Sequence, residues 1–357
     1  MKKLMSLRVF VAVAAVSGSA YAYAPKPMDI FHEQPTRSHT GIGSIEVSPK
    51  NGRLWSTCYC APFGGVNHLN YVVLMTSSDG GKTWKDVLYA DPDGEGAVRS
   101  FDPEVWVDAD GKLVWSWTDR TCDDGFNPLD PANGTFADPK TDKLMFVRLD
   151  AENEPVGEQP EAQYACWGIM MCKPIILKDG RTLLPVAHWY QDPSACFYAT
   201  TDWKTFDYVG GVSLPKERRQ FDEHQVVQLE DGSLKVWIRT NHEPVESVST
   251  DGGKTWSDPV VSPVGNPNSR LFVTKLKNGH LLMVKHGRLG EHFEQKGWLP
   301  RRELRVFISK DDGKTWEGDL LLDDRQMVSY PDGTQAPDGA VYVAYDRDRC
   351  GWKEINF

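Results

Sequence analysis

Long helical patterns, long apolar runs and excess positive charge are all lacking in this chain of 357 residues. No stretch keeps a helical spacing of apolar side chains beyond about two turns, which argues against a helical fold. After residue 22 no segment is long and apolar enough for a transmembrane helix, so no membrane insertion is expected. The net charge of −10 argues against a nucleic-acid partner.

Cysteine is limited to seven residues, and an odd number leaves at least one thiol unpaired. Their spacing does not define a pairing. No Cys/His cluster has the spacing of a zinc site, and Asp-rich loops such as Asp91-Pro-Asp-Gly94 are a weak basis for calcium. We therefore expect neither a metal nor a cofactor.

Residues 1–22 are predicted to be a secretory signal peptide. Lys2 and Lys3 precede an apolar stretch from Val9 to Val16, and Ala20-Tyr21-Ala22 is a small-x-small cleavage site, with Ala22-Tyr23-Ala24 as a close competitor. The mature chain, residues 23–357, is expected to be a soluble, single domain located in the periplasm or secreted. The sequence does not indicate an oligomeric state.

One short motif occurs three times, each time after an apolar, strand-like run. It reads Ser-x-Asp-x-Gly-x-Thr-Trp, and its copies are Ser77–Trp84, Ser249–Trp256 and Ser309–Trp316. The Ser and Asp side chains can bond nearby backbone, Gly supplies positive φ, and Trp provides an apolar plug. Residues 200–206 are a weaker fourth copy. Recurrence indicates a copied supersecondary unit.

A second repeat consists of Asn-Gly or Asp-Gly turns between apolar strands, the strongest short signal for a hairpin. The six turns end at Gly52, Gly111, Gly180, Gly232, Gly279 and Gly339. One such hairpin with one later Ser-x-Asp motif accounts for about four strands, and six units fill the mature chain. We therefore predict an all-β, six-bladed β-propeller. A β-sandwich is the alternative, but it does not explain the sixfold recurrence.

The three motifs resemble the Asp-box repeats of the sialidase (neuraminidase) superfamily, and the resemblance covers most of the mature chain. It implies a six-bladed propeller. It also implies an arginine triad that clamps a substrate carboxylate, a Tyr nucleophile assisted by a Glu, and an Asp acid/base. Guanidinium forks match a carboxylate bidentately, and a Tyr nucleophile is a known exception among glycosidases.

Three segments resemble the family's catalytic segments. Residues 223–239 have the family's order of Glu, hairpin and Arg, which nominates Glu223 as partner of the nucleophile and Arg239 as a triad arginine. Residues 330–339 nominate Tyr330 as the nucleophile. Residues 301–304 nominate Arg301 as another triad arginine, with Arg302 as the alternative.

Two segments depart from the family. The first triad arginine is replaced by glycine in Gly41-Ile-Gly-Ser-Ile45, and Arg37 or His39 are the nearby substitutes. The loop at residues 63–70, which should carry the Asp acid/base, contains no Asp. His68 is its only obvious proton donor, and its ordinary pKa permits general-acid catalysis near neutral pH.

Further candidates lie where polar residues border apolar strands. Arg99 and Asp102 precede one strand as Glu223 precedes another, so they are expected to line the same mouth, with Asp102 as a second candidate acid. His224 follows Glu223 directly and is a candidate for substrate binding. Trp189 is a candidate for stacking on a sugar ring, or else a core residue. His188 and His286, at strand ends, are equally ambiguous.

The sequence therefore predicts an exported, sialidase-like exo-glycosidase that releases a terminal, acidic sugar from a glycan with retention of configuration. Two alternatives stay open. One is a different chemistry on the same scaffold, namely a non-sialic glycosidase or a polysaccharide lyase. The other is a non-catalytic carbohydrate-binding propeller.

Overall fold

The structure is a computed structural model that describes residues 23–28, 37, 39–62, 66–94, 96–122, 141–189, 191–293, 301–347 and 354–356. Its regular structure is almost entirely β, with short 3-10 turns such as Lys216–Arg218. Within these residues no helix is long and apolar enough to cross a bilayer. The predicted signal peptide lies outside the described residues and stays a prediction.

The described residues form six antiparallel sheets that follow one another along the chain. The first sheet contains β1 (Lys26–Pro27), β2 (His39–Val47), β3 (Leu54–Ala61), β4 (Tyr71–Ser77) and β5 (Lys85–Ala90). The second contains β6 (Val98–Val107), β7 (Lys112–Thr121), β8 (Lys143–Asp150) and β9 (Gln163–Trp167). The third contains β10 (Ile175–Ile176), β11 (Thr182–Ala187), β12 (Ala195–Thr200) and β13 (Asp207–Val212).

The remaining three sheets follow the same order. The fourth contains β14 (Arg219–Gln228), β15 (Leu234–Thr240), β16 (Val245–Ser249) and β17 (Val260–Val261). The fifth contains β18 (Phe272–Lys275), β19 (Leu281–His286), β20 (Arg302–Ser309) and β21 (Glu317–Gln326). The last contains β22 (Val328–Gln335), β23 (Val341–Arg347) and β24 (Glu354–Asn356).

Strands are counted here from the axis outwards, so β2 is the first strand of the first sheet and β1 its fifth. The first strands of neighbouring sheets meet around a common axis. β2 contacts β6 on one side and β22 on the other, and β18 contacts both β14 and β22. Contact between β2 and β22 joins the last sheet to the first and closes the ring. The predicted all-β propeller is therefore confirmed. Among the described residues five sheets have at least four strands, and the last has three.

The six Asn-Gly and Asp-Gly turns are confirmed as hairpins. Each joins the first strand of a sheet to the second, so the same turn recurs once per sheet. Their glycines have φ between 72° and 94°, a range in which only glycine is unstrained. These turns are Gly52, Gly111, Gly180, Gly232, Gly279 and Gly339.

The Ser-x-Asp motifs form rigid turns between the third and fourth strands of their sheets. In the second copy Asp251 Oδ1 accepts hydrogen bonds from Ser249 Oγ at 2.8 Å and from Thr255 N at 2.9 Å. The indole Nε1 of Trp256 donates to Gly253 O at 3.0 Å. Its ring stacks on Phe197 of the third sheet, with ring centroids 4.6 Å apart, so the motif also packs two sheets together.

Replacing Asp251 with alanine is expected to lower the thermal unfolding temperature above pH 4 and to have less effect towards pH 2. Hydrogen bonds from Thr255 and Ser249 lower the pKa of Asp251 to about 2. Because the folded-state pKa lies below the unfolded one, the stabilisation is present above pH 4 and is lost as the pH falls through 2. Calorimetry over this range tests the prediction, with exposed Asp258→Ala as control. An equal loss at pH 2 and pH 7 would contradict it.

The axis of the propeller is filled with charged side chains. Arg270, just before β18, donates from Nη1 to Glu104 Oε1 of β6 at 2.8 Å. Lys173, just before β10, lies 3.2 Å from Asp332 of β22 and donates to Gly333 O at 3.0 Å. These two buried ion pairs join the second sheet to the fifth and the third sheet to the sixth. They therefore hold opposite sides of the ring together.

The described cysteines are all buried. They are Cys58, Cys60, Cys122, Cys166, Cys172 and Cys196. The seventh, Cys350, lies outside the described residues.

Candidate active site

Four first strands share a local irregularity near the axis. The register of β2, β6, β14 and β22 with the neighbouring strand slips by at least one residue there. Each slip contains a non-glycine residue with positive φ, namely Ile42 at 48°, Asp102 at 48°, Asp222 at 53° and Tyr330 at 52°. Such residues are rare, and they concentrate where a site needs a side chain in an unusual direction.

Tyr330 and Glu223 meet at one guanidinium group. Arg239 Nη1 donates to Glu223 Oε1 at 2.7 Å and to the Tyr330 hydroxyl at 3.0 Å. Since both oxygens bond the same nitrogen, they lie no more than about two hydrogen-bond lengths apart. Arg239 Nε donates to Asn268 Oδ1 at 2.8 Å, which fixes the plane of the fork. All of these side chains are buried.

Two further arginines surround the same phenol ring. The guanidinium carbons of Arg301 and Arg270 lie 5.1 and 5.6 Å from the centroid of Tyr330. Arg301 Nη2 is held by Asn268 O at 2.9 Å. Tyr330 is thus enclosed by three guanidinium groups, counting Arg239 at 6.0 Å. Nearby positive charge favours the ionised form of a phenol.

The charge state of Glu223 follows from these neighbours. Burial alone would raise the pKa of Glu223, but Arg239, Arg270 and Arg301 hold it below its ordinary value. Glu223 is therefore an ionised carboxylate at neutral pH. Within the described residues its second oxygen, Oε2, is buried without a hydrogen-bond partner. A carboxylate oxygen of this kind, close to a phenol, is suited to accept a proton.

A chain of aromatic and cationic contacts connects this site to the second sheet. Arg239 lies over the Phe221 ring at 5.1 Å, and Trp189 Nε1 donates to Phe221 O at 2.7 Å. At the other end of this series of contacts, the Arg120 guanidinium lies 4.8 Å from the Trp189 ring. Arg120 and Arg99 both lie over the Phe101 ring, at 5.3 and 4.0 Å.

The sequence comparison decides the family. Residues 154–343, just over half of the chain, match the profile of the BNR repeat-like domain. The chain belongs to this family. The match, together with the similarities to sialidases below, places the protein in the sialidase superfamily with a propeller fold.

Several of the similar proteins are sialidases of low sequence identity. An anhydrosialidase from Macrobdella decora is 24% identical over 362 residues, covering 86% of this chain and 44% of the relative. The chain thus spans less than half of that relative. A Hadza microbial sialidase has a TM-score of 0.68 with 19% identity, covering 91% of this chain and 66% of that one.

A third similar protein is a leech intramolecular trans-sialidase, whose structure holds 2,7-anhydro-Neu5Ac. Its TM-score is 0.66 with 16% identity, covering 92% of this chain and 67% of that one. At this identity the structural likeness supports the shared fold alone.

The two candidate acids of this BNR repeat-like protein lie on adjoining segments. Asp102 is buried at the irregularity of β6, in the position that Tyr330 takes in β22. His68 lies half-buried on the loop between β3 and β4. That loop runs beside β6, because Ser100 N donates to Asn70 O at 2.8 Å. Both side chains thus remain candidates for the acid.

Arg99 lies near the same mouth. It is buried at the start of β6, and burial, with the neighbouring charge of Arg120, lowers the pKa of Arg99 to about 10. It stays a cation at neutral pH. Arg99 therefore remains a candidate for binding an anionic substrate group.

Two other candidates lie away from Tyr330. Arg37 pairs with Asp86 at 2.5 Å, and Asp86 belongs to β5, far from the axis in its sheet. Arg302 has a half-exposed side chain that faces Glu291, whereas the neighbours of Tyr330 are buried. Arg37 therefore does not replace the missing arginine, and Arg301, rather than Arg302, is the arginine at the site.

The buried histidines are occupied by hydrogen bonds. The ring nitrogens of His224 face Asp222 O at 2.8 Å and Cys196 O at 2.9 Å, which corrects its expected role in substrate binding to a structural one. His39 Nε2 lies 3.3 Å from the Tyr59 hydroxyl. His188 and His286 also bond backbone carbonyls, and burial lowers their pKa values to about 4 and about 3. Both are neutral at pH 7.

Sequence reasoning missed Arg270, Asn268, Glu104 and Arg120. One signal was present for the first two, because they precede an apolar strand just as Glu223 does. Glu104 follows Asp102 by two residues and directly precedes the apolar run Val105-Trp106-Val107, where an unpaired charge is costly. That position alone predicts a partner but does not identify it.

Proposed function

We propose that this protein is a retaining exo-glycosidase that removes a terminal, acidic sugar from a glycan. The observation that carries the proposal is the single Arg239 nitrogen that bonds both Glu223 and the Tyr330 hydroxyl. A phenol, a carboxylate and several guanidinium groups converge there from three different sheets. Membership of the sialidase superfamily agrees with a glycan as the substrate.

In the first step the Tyr330 oxygen attacks the anomeric carbon and transfers its proton to Glu223. The glycosidic bond breaks, and the leaving oxygen takes a proton from Asp102 or His68. In the second step water attacks the same carbon, and the same acid, now a base, removes its proton. The bond to Tyr330 breaks, and Glu223 returns the proton to the phenol. Two displacements retain the anomeric configuration.

The acidic group of the sugar is assigned to Arg239 and Arg301. Both are buried, and both present planar guanidinium groups that suit a carboxylate. In the first sheet the position equivalent to Tyr330 is the apolar Ile42. The clamp therefore depends on two arginines, with Arg99 of the second sheet as the nearest further cation at the mouth.

A second candidate function is cleavage of the same glycosidic bond without hydrolysis. The product would then be an intramolecularly linked (anhydro) sugar or an unsaturated sugar. Two observations favour keeping it, namely the loss of the first-sheet arginine and the similarity to an anhydrosialidase and an intramolecular trans-sialidase. An intramolecular hydroxyl would then take the place of water in the second step. A lyase would instead form a carbon–carbon double bond.

We expect the purified protein to hydrolyse aryl glycosides of an acidic sugar such as α-sialosides, and to leave neutral aryl glycosides intact. The reason is that only an acidic sugar carries an anionic group for the buried arginines to bind. Proton NMR of the first product distinguishes a hydrolysed sugar with retained configuration from an anhydro sugar. An unsaturated sugar is identified by its NMR spectrum together with its ultraviolet absorbance. Turnover of neutral glycosides alone would contradict the clamp. Glycan binding without turnover would indicate a binding propeller.

The last sheet, β22–β24, has three strands among the described residues. We infer that β22–β24 are the sixth blade, because their hairpin and first strand match those of the other five sheets.

Export also remains a proposal, based on Lys2, Lys3 and the apolar segment after them. Sequencing the N-terminus of protein recovered from the periplasm or medium tests it. A start at Tyr23, or at Pro25 if the competing site is used, is expected, and an intact N-terminus would contradict it.

A further inference from the structure

The backbone of Tyr330 has a strained conformation that neighbouring residues must hold. Its φ of 52° is unfavourable for a residue with a Cβ atom, so other contacts must hold it. The following residue, Pro331, has no N–H group to contribute a hydrogen bond. The carbonyl groups of Tyr330 and Pro331 are the backbone groups through which a donor can hold both residues.

Arg270 makes these contacts. Its Nη2 lies 3.3 Å from Tyr330 O and 3.4 Å from Pro331 O, so one nitrogen grips the carbonyls of both residues. The same guanidinium group also donates from Nη1 to Met171 O, in the segment between β9 and β10. The guanidinium thus lies directly beneath the phenol while bonding the backbone that carries it.

Glu104 fixes Arg270 from the opposite side of the axis. The 2.8 Å bond joins residues 166 positions apart, and both side chains are buried. Burial raises the pKa of Glu104 to about 7, against the attraction of Arg270 and Lys173 and with repulsion from Asp332. In the alkaline range where tyrosines titrate, Glu104 is therefore ionised, and it balances the charge of Arg270.

We propose that Arg270 and Glu104 are positioning residues for the nucleophile, with Arg270 holding the backbone of Tyr330 and Glu104 holding Arg270 and offsetting its charge. This rests on the proposed role of Tyr330. Neither residue needs to touch the substrate. The pair acts by aiming the phenol at Arg239 and Glu223 and by limiting the positive charge beneath it.

The test compares Glu104→Gln and Arg270→Lys with Lys173→Gln as a matched control. Lys173→Gln also removes a buried axial charge, but Lys173 bonds Gly333 and Asp332 and is not assigned to the site. Ultraviolet titration of tyrosinate, minus the titration of the same variant carrying Tyr330→Phe, isolates Tyr330 among twelve tyrosines. The other charges facing the phenol, Arg239, Arg301 and Glu223, are unchanged in all variants.

Glu104→Gln leaves the charge of Arg270 unbalanced, so the ionisation of Tyr330 is expected to shift to lower pH by about one unit. Arg270→Lys keeps a charge but loses the fork, and we expect kcat to fall about a hundredfold with little change in KM. Lys173→Gln should lower the unfolding temperature without either effect. Should Glu104→Gln not fold, Glu104→Asp retains the charge and should keep the wild-type titration while lowering kcat.

The proposal is overturned if the titration of Tyr330 and kcat change no more in Glu104→Gln and Arg270→Lys than in Lys173→Gln. The titration does not depend on turnover. A shifted titration in a protein without glycosidase activity would leave the positioning pair intact and remove the proposed function. If the wild type is an active glycosidase and neither the titration nor kcat responds to the two substitutions, the proposed function stands and the positioning pair is removed.

Discussion

Replacing Tyr330 with phenylalanine is expected to lower kcat by at least about a thousandfold while leaving the fold and KM nearly unchanged. The substitution removes only the hydroxyl that accepts the 3.0 Å bond from Arg239. Without it no bond to the anomeric carbon can form, whereas the arginines that hold the acidic group remain. Steady-state kinetics on an acidic aryl glycoside, together with thermal unfolding, measure both quantities.

The matched control is Tyr345→Phe. Tyr345 of the sixth sheet donates to Asp323 of the fifth at 3.0 Å, so this variant also loses one hydroxyl bonded to a charged group. It should retain wild-type kcat. If Tyr330→Phe kept more than about a tenth of the activity, the phenol would not be the nucleophile, and a role for Tyr330 in positioning alone would be the better explanation.

Arg239→Ala is expected to have the largest effect on stability. It leaves the buried carboxylate of Glu223 without its closest counter-charge, which costs about 3–5 kcal/mol for a broken buried pair. Activity should be lost as well, because the alanine no longer bonds Tyr330 or Asn268. Denaturant unfolding measures the free energy. Arg325→Ala, which breaks a more exposed pair with Asp323, should cost about 1 kcal/mol or less.

A double variant separates the charge from the packing. In Arg239→Met with Glu223→Gln both charges are absent, so the buried carboxylate no longer has to be desolvated alone. We expect it to recover a large part of the stability that Arg239→Ala loses, without recovering activity. Equal destabilisation in the single and the double variant would show that packing, rather than the uncompensated charge, determines the loss.

The turns of this fold could be predicted from the sequence because their chemistry is local. Gly232 and Asp251 act within four residues of their own position, through positive φ and through bonds to neighbouring N–H groups. The order of the sheets follows from repeating those turns. The irregularities of the first strands were not predicted, because Tyr330 and Asp102 have no glycine or other local signal for positive φ.

The site was partly predictable. Residues 223–239 and 330–339 carry enough of the family pattern to nominate Glu223, Arg239 and Tyr330, which the structure brings together. The direction in which a side chain points was less predictable than the position of polar residues along the chain. His224 is as polar as its neighbour Glu223, yet alternation along β14 turns it to the opposite face.

Contacts across the axis were beyond local reasoning. Glu104 and Arg270 lie 166 residues apart, and nothing near either one specifies the other. Arg37 illustrates the converse error. A cation close in sequence to the missing first-sheet arginine is bound instead by Asp86, which lies on β5 and not at the axis.

The most direct test of the account is to trap the covalent intermediate. A fluorinated, slowly turned-over donor of the acidic sugar should label the protein once, and mass spectrometry of the digested protein should place the sugar on Tyr330. Tyr330→Phe should remain unlabelled under the same conditions. A label on another residue, or full turnover of the donor with no labelled protein at any time, would contradict the assignment of Tyr330 as the nucleophile.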